Sequence, residues 1–334
     1  MAVNILIIGA GLSGLAAART LTRLGAMVNV IEKSRGLGGR LATRRATPWA
    51  FDHGAQYVTV TQPPFLARMT AFIEAGCAAR WDGKVVALKP GGQLGPDPFH
   101  KPRYVGTPGM NALVRSLSDG LTISLQGRVT GLERRAEGWH VDLEDGTTTG
   151  PYDGVVVSAP SPQAASLLAA VPTLAAEAAE AVMAPCWAAM VGYAEPLDLC
   201  FDAAGLEEGA LSWVARNSAK PDRPEQEAWV LHASTEWSIE HLEDSPEDVG
   251  PALLGAFHEA LGRELPGPEQ IQAHRWRYAR VTKALAKDCL IDEGAKIAAC
   301  GDWCLGGRAE SAFQSGLAAA HALARAFGRN LGDQ

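Results

Sequence analysis

Two apolar runs near the N-terminus predict strands on either side of a helix. The first run covers residues 4–8, and a glycine turn and a series of small residues up to Ala18 follow it. The second run covers residues 28–31 and ends at an acidic residue. An apolar strand, a helix and a second apolar strand are typical of a parallel βαβ unit. We therefore expect the chain to begin with an α/β domain.

Later apolar runs predict that the chain leaves this domain and returns to it. Proline and glycine punctuate residues 62–64 and 90–102, which suits a passage between domains. Residues 155–157 are continuously apolar, as in a buried parallel strand. The alanine-rich stretch 164–184 has a helical pattern, residues 229–234 alternate as a strand, and residues 313–326 predict a C-terminal helix. The first domain is thus predicted to consist of discontinuous segments.

The glycine turn after the first strand provides the most specific candidate chemistry. Gly9 permits a tight turn, Gly11 lets a pyrophosphate approach the backbone, and Gly14 lets the helix pack closely on the strand. Leu12 and Ser13 lie in the first helical turn, where backbone N–H groups attract an anion. Together these residues predict a dinucleotide site.

An acidic residue and a basic glycine-rich loop extend this site. Glu32 lies near the distance of about 20 residues at which a carboxylate accepts the ribose hydroxyls. Lys33 begins the loop, in which Gly39 brings backbone N–H groups to phosphate and Arg40 adds a charge-assisted donor. A solvated turn is the alternative interpretation. A second phosphate clamp favours FAD, whose long body needs several points of attachment, over NAD.

Two further polar residues are expected to contact the cofactor. Gln56 is placed to hydrogen-bond an isoalloxazine edge, and Asp302, after a late strand, to accept hydrogen bonds from the ribityl chain. The helix that follows Asp302 presents an N-terminus suited to negative charge on the reduced ring. Because no second glycine fingerprint follows a strand, a reductase with two dinucleotide sites is disfavoured.

Composition limits the remaining possibilities. The 334 residues are 47% hydrophobic and 20% charged, with a net charge of −7, which is typical of a globular protein without a nucleic-acid footprint. The apolar N-terminus lacks the features of a signal peptide, and no apolar run of about 20 residues occurs. We therefore expect a cytoplasmic protein without membrane partners. The six cysteines fit neither a redox pair nor a metal motif, so reduced thiols and no metal are expected.

The motifs give the chain a resemblance to the bacterial renalases, flavoproteins of the broader FAD-dependent amine oxidase superfamily. Marks of the superfamily are the glycine turn, the acidic residue after the second strand, and residues 38–40 and 301–302. Narrower marks lie at 52–57, 213–217, 220–221, 231–233, 236–238, 274–279 and 300–304. The sequence departs from the family pattern at three positions: Val281, where a proline is expected, Ala309 and Ser311. These departures affect the detailed shape of the site near the flavin and not the assignment to the class.

The resemblance implies an α/β fold, α+β overall, with two domains. A Rossmann-like FAD-binding domain would comprise residues 1–62, 104–162 and 283–334. A substrate domain, a mainly antiparallel sheet with helices that covers the flavin, would comprise residues 63–103 and 163–282. Val129, Arg308 and Ala309 are expected to complete the cofactor site.

The implied activity is oxidation of 2- or 6-dihydro isomers of NAD(P)H, with oxygen as the electron acceptor and hydrogen peroxide as a product. The resemblance suggests that Asn217 and His232 line the substrate side, although a lone strand histidine is more often structural. Four cations are expected to bind the substrate phosphates at the mouth of the cleft: Arg216, Lys220, Arg275 and Arg277. The alternative is that they have structural roles on the surface. A flavin amine oxidase and a flavin-binding protein without turnover remain alternatives.

Overall fold

The computed structural model describes residues 2–328. Its strands are β1 (Asn4–Ile8), β2 (Met27–Glu32), β3 (Arg44–Ala46), β4 (Trp49–Phe51), β5 (Ala78–Arg80), β6 (Val85–Lys89), β7 (Gln93–Gly95), β8 (Tyr104–Gly106), β9 (Thr122–Leu125), β10 (Val129–Arg135), β11 (Gly138–Leu143), β12 (Thr148–Tyr152), β13 (Gly154–Val157), β14 (Val182–Gly192), β15 (Ala203–Gly205), β16 (Leu211–Arg216), β17 (Ala228–Ala233), β18 (Gln270–Lys283), β19 (Leu290–Asp292) and β20 (Ile297–Ala299). Its α-helices are α1 (Leu12–Arg23), α2 (Pro63–Glu74), α3 (Ala112–Ser118), α4 (Ser161–Leu167), α5 (Pro172–Ala179), α6 (Thr235–Glu240), α7 (Pro246–Leu261), α8 (Asp302–Leu305) and α9 (Ala309–Ala326).

A six-stranded sheet forms the first domain, in the order β19-β20-β13-β1-β2-β9. Strand β1 pairs in parallel with both β2 and β13, so Ile5 stands beside Val28 on one side and Gly154 on the other. Only the edge strand β19 runs antiparallel to its neighbour. The central strands are apolar throughout because helices or a second sheet cover both faces. The predicted α/β fold with a Rossmann-like βαβ unit is confirmed.

Two different layers cover this sheet. On one face α1 and α9 bury Leu15, Phe313 and Leu323. On the other face α4, α5 and the three-stranded sheet β10-β11-β12 bury Trp139 and Trp303. This layered arrangement leaves the carboxyl ends of the parallel strands open at one edge, where ligands of open α/β sheets bind.

The helical structure predicted over residues 164–184 is confirmed as far as Ala179, as separate helices, and is wrong beyond that residue. Helix α4 ends at Leu167, α5 begins at Pro172, and β14 already starts at Val182. Proline has no N–H to continue a helical ladder, so it starts a new helix here. The apolar residues that follow are buried in a sheet, where β-structure satisfies their backbone groups.

A seven-stranded sheet, in the order β18-β14-β17-β16-β15-β6-β7, forms the second layer of the molecule. Its pairs are antiparallel except for β15 with β6. Helix α7 packs on its outer face, with Phe257 against Trp229. Its inner face rests on the first domain through Met190 and Val230, which contact Trp49. The inner face of this sheet and the open edge of the first sheet therefore face one another.

The six-stranded sheet draws its strands from the beginning, the middle and the end of the chain, whereas the seven-stranded sheet uses residues 85–95 and 182–283. Helix α2, which the sequence assigned to the substrate domain, packs Phe65 against Phe313 of α9. The exact domain boundaries stay a prediction.

Candidate active site

A cavity of about 1640 Å³ lies between the two sheets. The carboxyl ends of β1, β2, β13 and β20 form its floor, and residues of β17 and β18 form its roof. The structure brings most of the predicted site residues to its lining: Gly9, Gly11, Leu12, Ser13, Glu32, Lys33, Gly39, Arg40, Gln56, Val129, His232, Asp302, Arg308 and Ala309. Gly14 and Asn217 do not line it.

The glycine turn has the backbone geometry that its sequence predicts. Gly9 has φ +103°, and a Cβ there would meet the Ser158 carbonyl oxygen at 2.3 Å, so only glycine fits. A Cβ at Gly14 would meet the Gly9 carbonyl oxygen at 2.1 Å, which explains the close contact between helix and strand. Gly14 thus acts through packing rather than through the cavity.

The N-terminus of α1 is open to an anion. It begins after Gly11 without a capping side chain and without an acidic residue in its first turn. The hydroxyl of Ser13 is buried in this first turn, beside the thiol of Cys300. Unpaired N–H groups and a hydroxyl at a helix N-terminus fit a pyrophosphate.

Glu32 and the glycine-rich loop hold one another in place. The Glu32 carboxylate is buried and accepts hydrogen bonds from the N–H groups of Ala10 and Ser34, each at 2.8 Å. The Gly38 N–H donates to the Ala10 carbonyl at 3.0 Å, which brings the loop beside the glycine turn. A carboxylate has about four acceptor positions, so Glu32 retains capacity for ribose hydroxyls.

Arg40 and Asp302 bind each other, which the sequence did not predict. Arg40 donates from Nη2 to Asp302 Oδ1 at 2.6 Å and from Nη1 to Asp302 Oδ2 at 2.8 Å. Arg40 also donates to the Ala279 carbonyl at 3.0 Å. Both residues line the cavity, but their charges neutralise each other. Their predicted contacts with phosphate and with the ribityl chain stay predictions.

The remaining predicted cofactor residues lie at the ends of the cavity. Lys33 is exposed and donates to the side-chain oxygen of Gln163 at 3.3 Å; partial desolvation and the nearby Arg128 lower its pKa. Val129 opens β10 beside this end. At the other end Ala309 begins α9, which has no capping side chain. These positions fit a long cofactor lying across the carboxyl edge of the sheet.

Gln56 lines the cavity, but other protein groups already occupy its amide. Its oxygen accepts a hydrogen bond from Lys220 Nζ at 3.1 Å, and its nitrogen donates to the Asp52 carbonyl. Asn217 is fully buried behind the cavity wall. Asn217 donates to the Ala50 carbonyl at 2.8 Å and accepts from Lys220 Nζ at 3.0 Å. The structure thus places Asn217 as a support for the segment 50–56, away from the surface where it was predicted to meet substrate.

A cluster of imidazole and indole rings forms the roof of the cavity. His53 lies edge-on to His274, with ring centroids 4.9 Å apart, and Trp276 lies 4.4 Å from His274. The His53 carbonyl accepts hydrogen bonds from Trp276 Nε1 at 2.9 Å and from His232 Nε2 at 3.2 Å. The shared carbonyl fixes both ring orientations, and it places the proton of neutral His232 on Nε2.

These histidines are neutral at physiological pH. Burial lowers the pKa of His53 to about 3, and the neighbouring His274 and Arg44 act in the same direction. Burial also lowers the pKa of His232 and of His274 to about 4. The roof therefore offers flat, uncharged rings with nitrogen acceptors rather than cations.

Sequence reasoning missed His53, His274 and Trp276 as cavity residues. An available signal was the alternation along β18, which places His274 and Trp276 on the cavity face and Arg275 and Arg277 on the other. Those arginines reach only the rim of the cavity, where Glu243 binds both at 2.9 and 2.7 Å.

Two other cations predicted for substrate phosphates lie outside the cavity lining. Arg216 faces Glu227 at 3.1 Å and stacks over Trp229 at 5.3 Å. Lys220 has no exposed side-chain surface. Their predicted direct contact with substrate is therefore wrong.

Basic residues nevertheless outnumber acidic ones in the cavity lining, and acidic residues outside the lining pair with four of them, Arg128, Arg275, Arg277 and Arg308. The guanidinium groups of Arg44 and Arg280 make no hydrogen bond or ion pair with other described side chains or carbonyls. The lining contains these basic residues: Lys33, Arg35, Arg40, Arg44, Arg45, Arg115, Arg128, Arg275, Arg277, Arg280 and Arg308. Among the described residues, the only acidic residues in the lining are Glu32 and Asp302.

Other features of the described chain bear on the predicted partners. All six cysteines are free. Within residues 2–328 no group of three or more histidine, cysteine, aspartate or glutamate side chains is placed to hold a metal. None of the helices in that range has the length and apolar character needed to cross a bilayer. The predicted cytoplasmic location stays a prediction.

Family models match both parts of the chain. The model of the NAD(P)-binding Rossmann-like domain matches residues 7–72, and that of flavin containing amine oxidoreductases matches residues 73–324. A candidate flavin-containing monoamine oxidase (AofH) of Mycobacterium tuberculosis is 43% identical over 68 residues, 20% of this chain and 15% of that protein. An L-amino acid dehydrogenase of Synechocystis is 37% identical over 103 residues, 30% of this chain and 22% of that protein.

Similarity to a solved structure extends over the whole fold. Cyclohexylamine oxidase from Brevibacterium oxydans gives a TM-score of 0.76 at 15% identity and covers 98% of this chain and 100% of that one. At this level of identity the likeness establishes the fold alone, and it includes both the Rossmann-like domain and the sheet that covers the cavity.

Proposed function

Because the chain belongs to the family of flavin containing amine oxidoreductases, we propose that it oxidises a dihydronicotinamide dinucleotide. The substrates in this proposal are 2- or 6-dihydro isomers of NAD(P)H, and the products are NAD(P)⁺ and hydrogen peroxide. FAD is the cofactor of the family. The open helix N-terminus at Leu12, the buried hydroxyl of Ser13 and the buried carboxylate of Glu32 fit it.

The charge of the cavity is the observation that carries this proposal. The chain has a net charge of −7, yet the cavity lining is cationic. Both acidic residues of the lining are committed, Glu32 to backbone N–H groups and Asp302 to Arg40. A dinucleotide brings two or more phosphate charges, whereas an alkyl amine in water is a cation. A cationic lining attracts the former and repels the latter.

The roof suits the reacting end of such a substrate. The uncharged rings of His53, His274 and Trp276 offer a flat contact surface. Since Nε2 of His232 donates to the His53 carbonyl, its Nδ1 is left as an acceptor for a carboxamide N–H. A dihydronicotinamide gives up hydride without a strong base, so these residues need only hold it in position. When bound, FAD accepts the hydride and passes the electrons to oxygen.

A flavin amine oxidase is the second candidate. It is supported by the family itself and by the likeness to a cyclohexylamine oxidase over the whole fold. A neutral amine would contact the same ring-lined roof. The arginines of the lining, such as Arg44 and Arg280, would then have no substrate phosphate to bind.

Anaerobic stopped-flow spectroscopy of the FAD-loaded protein tests the proposal. We expect 2- and 6-dihydro dinucleotides to bleach the flavin far faster than the ordinary 4-dihydro form, a catecholamine or cyclohexylamine. Rapid bleaching by an amine, with none by the 2- or 6-dihydro isomers, would assign the protein to the amine oxidases. No bleaching by any of them would leave a flavin-binding protein without turnover.

A charge variant identifies the site of the phosphates. Arg44→Gln should raise the apparent dissociation constant of the dinucleotide on the order of tenfold, because a charge-assisted hydrogen bond contributes about 1.5–3 kcal/mol. Arg23→Gln makes the same charge change at an exposed residue of α1 outside the cavity. Equal dissociation constants for the two variants would exclude Arg44 from the binding of phosphate.

A further inference from the structure

Behind the wall of the cavity lies a charge cluster that the hydride transfer does not use. It consists of Asp52, Lys220 and Arg223, and none of the three side chains has exposed surface. Arg223 donates from Nη2 to Asp52 Oδ2 at 2.7 Å and from Nε to the same oxygen at 3.1 Å. Lys220 Nζ lies 3.3 Å from that oxygen. One carboxylate therefore faces two cations, so the cluster carries an excess positive charge.

This excess charge is costly for folding. Removing ions from water costs several kcal/mol each, and an apolar replacement of similar volume is often as stable as a buried ion pair. Asp52 is satisfied without Lys220, since its Oδ1 accepts from the Thr43 hydroxyl at 2.7 Å and the Met110 N–H at 3.0 Å. Lys220 is thus the surplus charge, and the stability of the pair between Asp52 and Arg223 does not explain it.

Polar side chains hold Lys220 directly behind the cavity lining. Its ammonium group donates to the side-chain oxygens of Gln56 at 3.1 Å and Asn217 at 3.0 Å, and it lies 5.7 Å from the centre of the Trp81 ring. Gln56 itself lines the cavity, so the charge of Lys220 lies one side chain away from it. The charge of Lys220 also acts on His232 in the roof.

We propose that Lys220 is a positioning residue for the redox chemistry: its surplus charge, held one side chain behind the cavity lining, stabilises the negative charge that FAD gains on reduction. The cluster thereby raises the reduction potential of the flavin. This inference depends on the flavin site and not on which substrate supplies the electrons, so it stands or falls separately from the proposed activity.

The proposed role of Lys220 is tested by measuring the reduction potential of the FAD-loaded protein against a reference dye at pH 7. Lys220→Met should shift the ratio of reduced to oxidised flavin about tenfold toward oxidised at a fixed potential, which is about 30 mV for a two-electron couple. Lys220→Arg should retain the wild-type ratio. Lys84→Met removes an exposed lysine and should change nothing. An unchanged ratio in a Lys220→Met protein with full FAD content would overturn the inference.

A pH series needs no loss of the side chain and covers the case in which Lys220→Met fails to fold. Burial lowers the pKa of Lys220 to about 8, with Asp52 opposing and Arg223 adding to the effect. The wild-type potential should therefore fall below that of Lys220→Arg between pH 7 and pH 9, since arginine stays charged. Parallel potentials across this range would show that the cluster only stabilises the fold.

Discussion

At the scale of single residues, the ring-lined roof shows how burial sets protonation. The three histidines at the cavity lie in neutral form because each has lost contact with water and has cations or further histidines as neighbours. A neutral imidazole can accept a hydrogen bond, and it would not repel the nicotinamide cation that the proposed reaction forms. The same loss of solvation makes the folded state sensitive to acid.

His53→Gln should flatten the acid dependence of stability. The pKa of His53 is about 3 in the folded protein, against about 6.5 in the unfolded chain. Between these values the unfolded chain binds more protons, so the free energy of unfolding falls as the pH drops below 6.5. We expect wild type to lose about 2 kcal/mol more than His53→Gln between pH 7 and pH 5.

Urea unfolding at the two pH values measures this difference. His100→Gln, at an exposed residue, is the matched control and should follow wild type. The same loss of stability in all three proteins would contradict a neutral, buried His53.

At the scale of elements, the contact between α1 and α9 controls the shape of the cofactor site. A Cβ at Gly316 of α9 would meet the Ser13 carbonyl oxygen of α1 at 2.2 Å. The two helices therefore touch at the first turn of α1, where the buried hydroxyl of Ser13 lies. The absence of one side chain on α9 lets the anion-binding end of α1 keep its position.

Gly316→Ala should destabilise the protein by about 1–3 kcal/mol, the usual cost of overpacking, and should weaken FAD binding because α1 must shift. Gly255→Ala is the matched control within α7, since a Cβ there meets no atom within 4 Å. The control should be neutral or up to about 1 kcal/mol more stable, because alanine favours helix. Thermal unfolding and FAD titration give both results. A Gly316→Ala protein as stable as the control would refute the close helix contact.

At the scale of the whole molecule, an acidic surface encloses a cationic cavity. This charge distribution should attract anions to the cleft. Salt screens the attraction, because the Debye length falls from about 10 Å at 0.1 M to about 3 Å at 1 M ionic strength. We expect the association rate of a dihydronicotinamide dinucleotide to fall as salt is raised, while a neutral ligand is unaffected. Stopped-flow binding at several ionic strengths measures it. Arg44→Gln should reduce the slope, and a slope of zero in wild type would argue against steering by the cavity.

The sequence by itself determined the cofactor domain, because its signals are local. A side chain at Gly9 or Gly14 would collide with backbone atoms of the same βαβ unit or its neighbouring strand. Glu32 is the last residue of the second strand of that unit. A contiguous motif fixes its own geometry, so strand, turn, helix and FAD were predictable before the structure. The helical structure expected at 164–184 ends at Ala179, because burial in a sheet overrides the alanine-rich pattern for the residues of β14.

Only the tertiary structure decided the partners of the polar residues. Arg40 meets Asp302 across 262 positions of sequence, and Lys220 meets Asp52 across 168. Residue types show that a side chain can donate or carry charge, but the free energy of a charge depends on burial and on partners that the packing of two sheets brings together. For that reason Asn217, which was predicted to line the substrate side, lies behind the wall of the cavity rather than in it.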